Sequence, residues 1–125
     1  MNLHPELLAA VERRFADRLA APPQLTQDAL TLSLANGAVL SVRYAATDAY
    51  SLRWRVKPSA DAAELGIDTA PTHPQLATFP RHLHLSDGTV VADPLTRLDA
   101  SAEDNLAALI EAILADPLLE TIAHR

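Results

Sequence analysis

A proline-free stretch of alternating apolar and polar residues, from Leu25 to Lys57, most restricts what this chain can fold into. Its apolar side chains recur at every second position in three runs, Leu30-Leu32-Leu34, Leu40-Val42-Tyr44 and Leu52-Trp54-Val56. Successive side chains of a β-strand point to opposite faces, so a period of two predicts three half-buried strands. Strands of this kind are typical of an antiparallel sheet with one apolar face and one polar face.

The dipeptide Asn36-Gly37 marks the turn of the first hairpin. A two-residue turn there would place Leu32 opposite the polar Ser41, whereas a three-residue loop over residues 35–37 places Leu32 opposite Leu40. The longer loop keeps apolar residues together and gives the glycine a left-handed backbone position. We therefore expect the three-residue loop.

A second turn signal, Asp87-Gly88, lies between two short apolar runs. Here we expect a two-residue turn, because it collects four apolar side chains on one face: Leu83, Leu85, Val90 and Ala92. The three long strands and the two of this hairpin make a sheet of about five strands, and residues 65–69 allow a further short one.

Helical periodicity flanks these strands. Residues 5–20 carry apolar side chains at every third or fourth position, and Pro22-Pro23 stop the pattern. A second helix begins at Ser101, which forms a capping pair with the acid three residues later, and it ends or kinks at Asp116-Pro117. The sequence thus predicts one α+β domain, residues 1–125, in which an antiparallel β-sheet of about five strands has N- and C-terminal helices packed on one face.

Composition removes several classes of protein. The chain has no Cys, which excludes disulfides, thiolate metal sites and a cysteine nucleophile. Its longest apolar run is about five residues, too short for a membrane span, and charged residues near the N-terminus replace the apolar stretch of a signal peptide. We therefore expect a soluble, cytoplasmic, bacterial-type protein with no cofactor and no membrane association.

The formal charge is −6, from 10 Lys and Arg against 16 Asp and Glu. Residues 98–125 hold six of the acids and one Arg, a charge of −5, whereas residues 43–97 hold six acids and six bases. The acidity therefore belongs to the C-terminal segment. It excludes a diffuse, non-specific nucleic-acid binder and leaves room for a local anion site in the middle of the chain.

The polar face of the predicted sheet holds the candidate functional residues. Because Leu83 takes an inner position, His82 and His84 point outward, and the basic residues that alternate with core positions join them. The anion-binding candidates are Arg43, Arg53, Arg55, Lys57 and Arg81. Arginine suits phosphate as a bidentate donor, and histidine carries protons near neutral pH.

Two other interpretations of these residues remain open. Basic residues on an exposed strand face commonly serve solubility alone. The pair His82-x-His84 offers two ligands for a metal such as zinc, with a third from His73, Asp68 or Asp87. The remaining histidines lie near the chain ends and are expected in solvent: His4 and His124.

The middle of the chain carries two short motifs, Asp68-Thr69-Ala70-Pro71-Thr72-His73-Pro74 and Thr78-Phe79-Pro80-Arg81-His82-Leu83-His84. Together they resemble small bacterial proteins of the TumE family, the toxin components of toxin–antitoxin pairs, and the order of elements agrees over residues 28–115. The chain departs from the family pattern at Thr69, Thr72, Arg81 and Gly66-Ile67. The polar positions that it retains are the catalytic candidates: Asp68, His73, His82 and His84.

Our first hypothesis combines this resemblance with the polar sheet face: a TumE-like, toxin-type protein whose His/Arg face contacts RNA or a nucleotide phosphate. Metal-free acid–base cleavage would use His82 and His84, one as base and one as acid. Asp68 would orient a histidine, and Arg53 or Arg55 would stabilise the phosphorane.

The second hypothesis is a non-catalytic protein-interaction module. It binds a partner, such as a cognate antitoxin, or self-associates as a homodimer through a sheet edge. Salt separates the two hypotheses, because phosphate binding weakens steeply as salt rises and an apolar interface hardly responds.

Overall fold

The computed structural model describes residues 3–123. The helices in this part are α1 (His4–Phe15), which continues into one 3₁₀ turn (Ala16–Arg18), α2 (Ala102–Ala115) and α3 (Glu120–Ala123). The strands are β1 (Gln24–Leu25), β2 (Leu30–Ser33), β3 (Val39–Ala46), β4 (Ala49–Arg55), β5 (Glu64–Asp68), β6 (His82–His84) and β7 (Val90–Ala92). They form one antiparallel sheet in the order β1 to β7, so each strand pairs with its neighbours in sequence.

The predicted fold class is confirmed, since the chain forms an antiparallel sheet with N- and C-terminal helices. The described part of the sheet has seven strands, however, and not about five. The additional β1 pairs with β2 through Gln24–Thr31 and Leu25–Leu30. A strand of two residues is too short to leave a period-two pattern in the sequence, so the pattern does not predict it.

The first hairpin has the predicted register. Leu32 lies opposite Leu40, and the loop closes where Leu34 N donates a hydrogen bond to Ala38 O at 2.8 Å. Gly37 has a φ of 93°. Residues with a side chain rarely adopt this conformation, so the three-residue loop depends on glycine at this position.

The prediction for the second hairpin is wrong. Leu83 lies opposite Val91, so the connection is a three-residue loop over residues 86–88 and not a two-residue turn. A two-residue type I′ turn needs positive φ at both central residues, whereas of the two only the glycine, with a φ of 91°, has it. Val90 and Ala92 therefore leave the core face of the sheet, and Val91 takes their place.

Helices α1 and α2 cover one face of the sheet, and the apolar core lies between the two layers. Removing apolar surface from water is the main favourable term in folding. The sheet residues with no exposed surface are Leu30, Leu32, Leu40, Val42, Leu52, Ile67 and Leu83. None of the helices within residues 3–123 is long and apolar enough to cross a membrane.

His4, which we expected in solvent, lies in the core and is 4% exposed. Its Nε2 accepts a hydrogen bond from Tyr44 N at 3.0 Å, next to the irregular pairing between Tyr44 and Ala46 in β3. The expectation failed because closeness to a chain end does not decide which face of a helix a residue occupies. His124 lies outside the described residues.

Two hydrogen bonds tie the end of α2 to the sheet. Trp54 Nε1 donates to Pro117 O at 2.8 Å, and Asn36 Nδ2 donates to Ile113 O at 2.9 Å. Ile113 is among the last four residues of α2, whose carbonyls have no partner within the helix. Asn36 therefore satisfies one of these carbonyls from the first hairpin loop.

Replacing Trp54 with Phe removes the indole donor from a side chain that is 1% exposed. We expect the free energy of unfolding to fall by about 1–3 kcal/mol, because the Pro117 carbonyl loses its partner. Urea denaturation followed by circular dichroism measures this change. Leu98→Ala, at a side chain 39% exposed, is the control and should change stability by less than about 0.5 kcal/mol. An equal loss of stability in both variants would contradict a stabilising role for the hydrogen bond between Trp54 and Pro117.

Candidate functional site

The register of strands β3 to β6 builds the outer face of the sheet, away from the helices. One row of directly paired residues is Arg43, Ser51, Asp68 and His82. The next row is Ser41, Arg53, Gly66 and His84. Paired residues of neighbouring strands share a face, so arginines and histidines that are distant in sequence lie on one continuous surface.

An open groove of about 630 Å³ lies over β3 and β4 on this face. Residues 58–60, in the loop after β4, wall one side of it. Its polar lining includes Ser41, Arg43, Ser51, Arg53 and Arg55. Since Ser51 is the strand partner of Asp68, the groove borders on the strand that carries this carboxylate.

Two of the arginines in the groove share one carboxylate. Arg53 Nη1 lies 3.5 Å from Glu64 Oε1, and Arg55 Nε lies 3.1 Å from Glu64 Oε2. All three side chains are well exposed, so these ion pairs add little stability. The sequence analysis missed Glu64, although its outward place follows from the alternation of β5. Arg43 has no ion pair within residues 3–123, and Lys57 lies exposed beyond the end of β4.

Arg81 takes part in a separate, buried network. Its Nη1 lies 3.4 Å from Asp93 Oδ2 and also donates to Thr96 O. The Asp93 side chain is completely buried, and its Oδ1 accepts from Leu95 N at 2.8 Å and from Thr96 N at 3.1 Å. Arg81 was grouped with the anion-binding candidates, but its guanidinium neutralises a buried carboxylate and does not line the groove.

Asp68 bridges the two histidines of β6. Its Oδ1 lies 3.0 Å from His82 Nε2, and its Oδ2 lies 3.1 Å from His84 Nε2. The bridge follows from the register, because Asp68 pairs directly with His82 and Gly66 pairs with His84. A Cβ at Gly66 would lie 3.3 Å from Arg53 Cγ, so the glycine lets the Arg53 side chain lie close to the sheet beside this cluster.

His82 is 1% exposed, and both of its ring nitrogens face oxygen atoms. Nδ1 lies 3.0 Å from Pro80 O. A carbonyl oxygen only accepts hydrogen bonds, so Nδ1 carries a proton. In a neutral ring Nε2 is then an acceptor that faces the Asp68 carboxylate. This contact is favourable when a proton lies between the two atoms or when a metal ion binds both.

His73, from the loop between β5 and β6, packs edge-on against the cluster. Its ring centroid lies 4.8 Å from that of His82 and 6.3 Å from that of His84. Within the described residues, the group whose ligand atoms are close enough to share a metal ion consists of Asp68, His82 and His84. Asp87 lies in the loop between β6 and β7, where it accepts a backbone hydrogen bond. Of the three candidates for a third ligand, Asp68 is therefore the one that lies next to both His82 and His84.

Fold and site together define a class: an α+β protein whose seven-stranded antiparallel sheet carries a His–Asp cluster beside a groove lined with arginines. Comparisons with the curated proteins and with the solved structures gave no match. The family model of toxin TumE matches residues 6–121. This match covers nearly the whole chain, and the chain therefore belongs to the TumE toxin family, which confirms the resemblance found in its motifs.

Arg81→Ala should lower the free energy of unfolding by about 3–5 kcal/mol, because it leaves the buried Asp93 carboxylate without its charge partner. Arg53→Ala removes an exposed guanidinium instead and should cost less than about 1 kcal/mol. Urea denaturation followed by tryptophan fluorescence compares the two variants. A loss for Arg81→Ala no larger than that for Arg53→Ala would contradict the structural role of Arg81.

Proposed function

We propose that this member of the TumE toxin family acts on RNA or a nucleotide phosphate at the outer face of its sheet. The groove over β3 and β4 binds the phosphate, and the reactive centre beside it consists of Asp68, His73, His82 and His84. One observation carries the proposal. The strand register brings the arginines of the groove and the histidine cluster together on one surface.

The distribution of charge supports a local anion site in an acidic protein. The groove is lined by three guanidinium groups and by one carboxylate, that of Glu64. Acids of α2 lie in the layer that covers the other face, where Glu103 and Asp104 pair with arginines of α1. A phosphate in the groove therefore meets the arginines at short range, while salt screens the more distant acids.

The chemistry of the groove also suits phosphate. Guanidinium groups bind phosphate oxygens through two parallel hydrogen bonds. Arg43 carries no ion pair to any described residue, and Arg53 and Arg55 share a single partner. The hydroxyl groups of Ser41 and Ser51 add further donors to the floor of the groove.

The geometry disfavours a metal-free scheme in which His82 exchanges protons with the substrate. His82 is 1% exposed, and both of its nitrogens already have partners. His84 is more accessible, with 36% of its side chain exposed. We therefore assign His84 to direct contact with the substrate, and we assign to His82 and Asp68 the role of holding the centre in place.

The double variant Arg43→Ala/Arg53→Ala should bind a short single-stranded RNA about tenfold more weakly than the wild type at physiological salt. The slope of log affinity against log salt should fall by about 1.4, because each phosphate contact on a single strand contributes about 0.7. Fluorescence anisotropy over a range of salt concentrations measures both quantities. The control, Arg13→Ala/Arg97→Ala, removes two exposed arginines outside the groove. Equal affinity and slope in the two double variants would refute a phosphate site in the groove.

His84→Ala should relieve the growth arrest that we expect when the wild-type chain is expressed from an inducible promoter in a bacterial host. His84 is preferred to His82 for this test because its partial exposure makes folding of the variant robust, which thermal melting by circular dichroism checks. Arg97→Ala serves as the control and should arrest growth like the wild type. Full growth arrest by a folded His84→Ala protein would remove His84 from the reactive centre.

A second surface favours a protein-binding role as the alternative function. Phe79 and Leu98 are 44% and 39% exposed, and they line one shallow depression together with Arg81 and Arg97. Neighbouring exposed apolar side chains commonly mark contacts between proteins. Because toxin families have antitoxins as partners, we propose this depression as the place where an antitoxin would bind.

Self-association through a sheet edge has less support. The edge strands of the described sheet are β1, with two residues, and β7, with three. Short edge strands offer few unpaired backbone groups and are one way in which proteins avoid edge-to-edge pairing. The salt titration of RNA binding also tests the alternative function, because a protein-interaction module without a phosphate site would show no salt-dependent RNA binding.

A further inference from the structure

We propose that Asp68, His82 and His84 bind one divalent transition-metal ion of the zinc class on the outer face of the sheet. The inference rests on the positions, hydrogen bonds and chemical types of these three side chains, and it does not require RNA binding. It therefore goes beyond the function proposed above.

The three side chains place their ligand atoms around a common point. The Asp68 oxygens lie 3.0 Å from His82 Nε2 and 3.1 Å from His84 Nε2, and all the ligand atoms lie within 4.8 Å of one another. Ligands about 2.0–2.1 Å from a tetrahedral zinc ion are separated from each other by about 3.3 Å. The distances from Asp68 to the two histidine nitrogens are already close to this value.

The hydrogen bond of His82 also favours metal binding through the other ring nitrogen. Nδ1 donates to Pro80 O at 3.0 Å, which fixes the ring orientation and leaves the Nε2 lone pair directed at the Asp68 carboxylate. Histidines that bind metals commonly donate their other ring N–H to a carbonyl or carboxylate in this way. With a neutral His82, two acceptors would face each other: Nε2 and an Asp68 oxygen. A metal ion that binds both atoms makes this arrangement favourable.

The site is both held in place and open. Two paired strands, β5 and β6, carry all three ligands, and Asp68 Oδ1 also accepts from Ala70 N at 3.0 Å. His82 is 1% exposed, whereas the side chains of Asp68 and His84 are 14% and 36% exposed. Three protein ligands with an accessible side leave a fourth position for water or a phosphate oxygen, which is the pattern of catalytic zinc sites.

The types of ligand select the class of metal. Imidazole nitrogen suits zinc and other first-row transition metals, whereas magnesium and calcium prefer sites made of oxygen. With two imidazoles and one carboxylate in the described cluster, we expect zinc to bind and magnesium to bind poorly.

Isothermal titration of zinc chloride into untagged full-length protein, previously stripped with a chelator, tests the proposal. We expect one zinc ion per chain and a thermal midpoint that rises at saturating zinc, because an ion that binds the native state stabilises it. Magnesium chloride at the same concentration should leave the midpoint unchanged. No saturable zinc binding, or a midpoint that does not respond to zinc, would overturn the proposal and favour a proton as the bridge between Asp68 and His82.

Asp68→Asn and His84→Ala each remove one ligand, and each should weaken zinc binding by about 100-fold or more, since changes in residues behind the ligands already cost about 10–100-fold. Both positions are partly exposed, so both variants should fold. The matched control Asp87→Asn changes a nearby candidate that the structure leaves out of the ligand set. It should keep one zinc ion at wild-type affinity. Unchanged binding in Asp68→Asn and His84→Ala would place the zinc elsewhere and refute this site.

Discussion

Burial of one apolar face of the sheet under two helices determines where the other parts of this protein lie. Successive side chains of a strand point to opposite faces, so the neighbour of each buried apolar residue lies on the outer face. The meander order then aligns these outward residues into rows across β3, β4, β5 and β6. The groove and the histidine cluster both lie along these rows, so the geometry of the candidate site follows from the packing of the opposite face.

A buried network of hydrogen bonds and one ion pair fixes the segment after β7. Tyr50 donates to Thr96 Oγ1 at 2.7 Å, the Thr96 hydroxyl donates to Asp93, and Arg81 balances the charge of that carboxylate. Burial raises the pKa of Tyr50, which keeps its hydroxyl protonated as the donor at the start of this chain. Buried polar groups are stable only when such networks are complete. Arg81 is therefore part of the fold on one side of β6, whereas His82 and His84 belong to the outer face on the other.

The overall negative charge and the proposed anion site are compatible because the two lie in different layers. The C-terminal acids belong largely to α2 and its surroundings, and two of them pair with α1. The outer face has its own charges: Arg53 and Arg55 pair with Glu64, and two histidines contact Asp68. In the histidine cluster, His82 is buried between the Pro80 carbonyl and the Asp68 carboxylate.

Local patterns in the sequence determined the strands β2 to β4, the first hairpin register, both long helices and the placement of Arg43, Arg53, His82 and His84 on the outer face. These features depend on the periodicity of neighbouring residues, which the chain carries everywhere. The same reasoning failed at the second hairpin and at His4, and it did not foresee the ion pair of Arg81 with Asp93. In each case the outcome depended on a turn conformation or on a partner far away in sequence. The sequence patterns also left three candidates for a third metal ligand: His73, Asp68 and Asp87. Only the tertiary structure decided among them, because Asp68 reaches His82 and His84 through the pairing of β5 with β6, and the path of the intervening loop is set by packing in three dimensions.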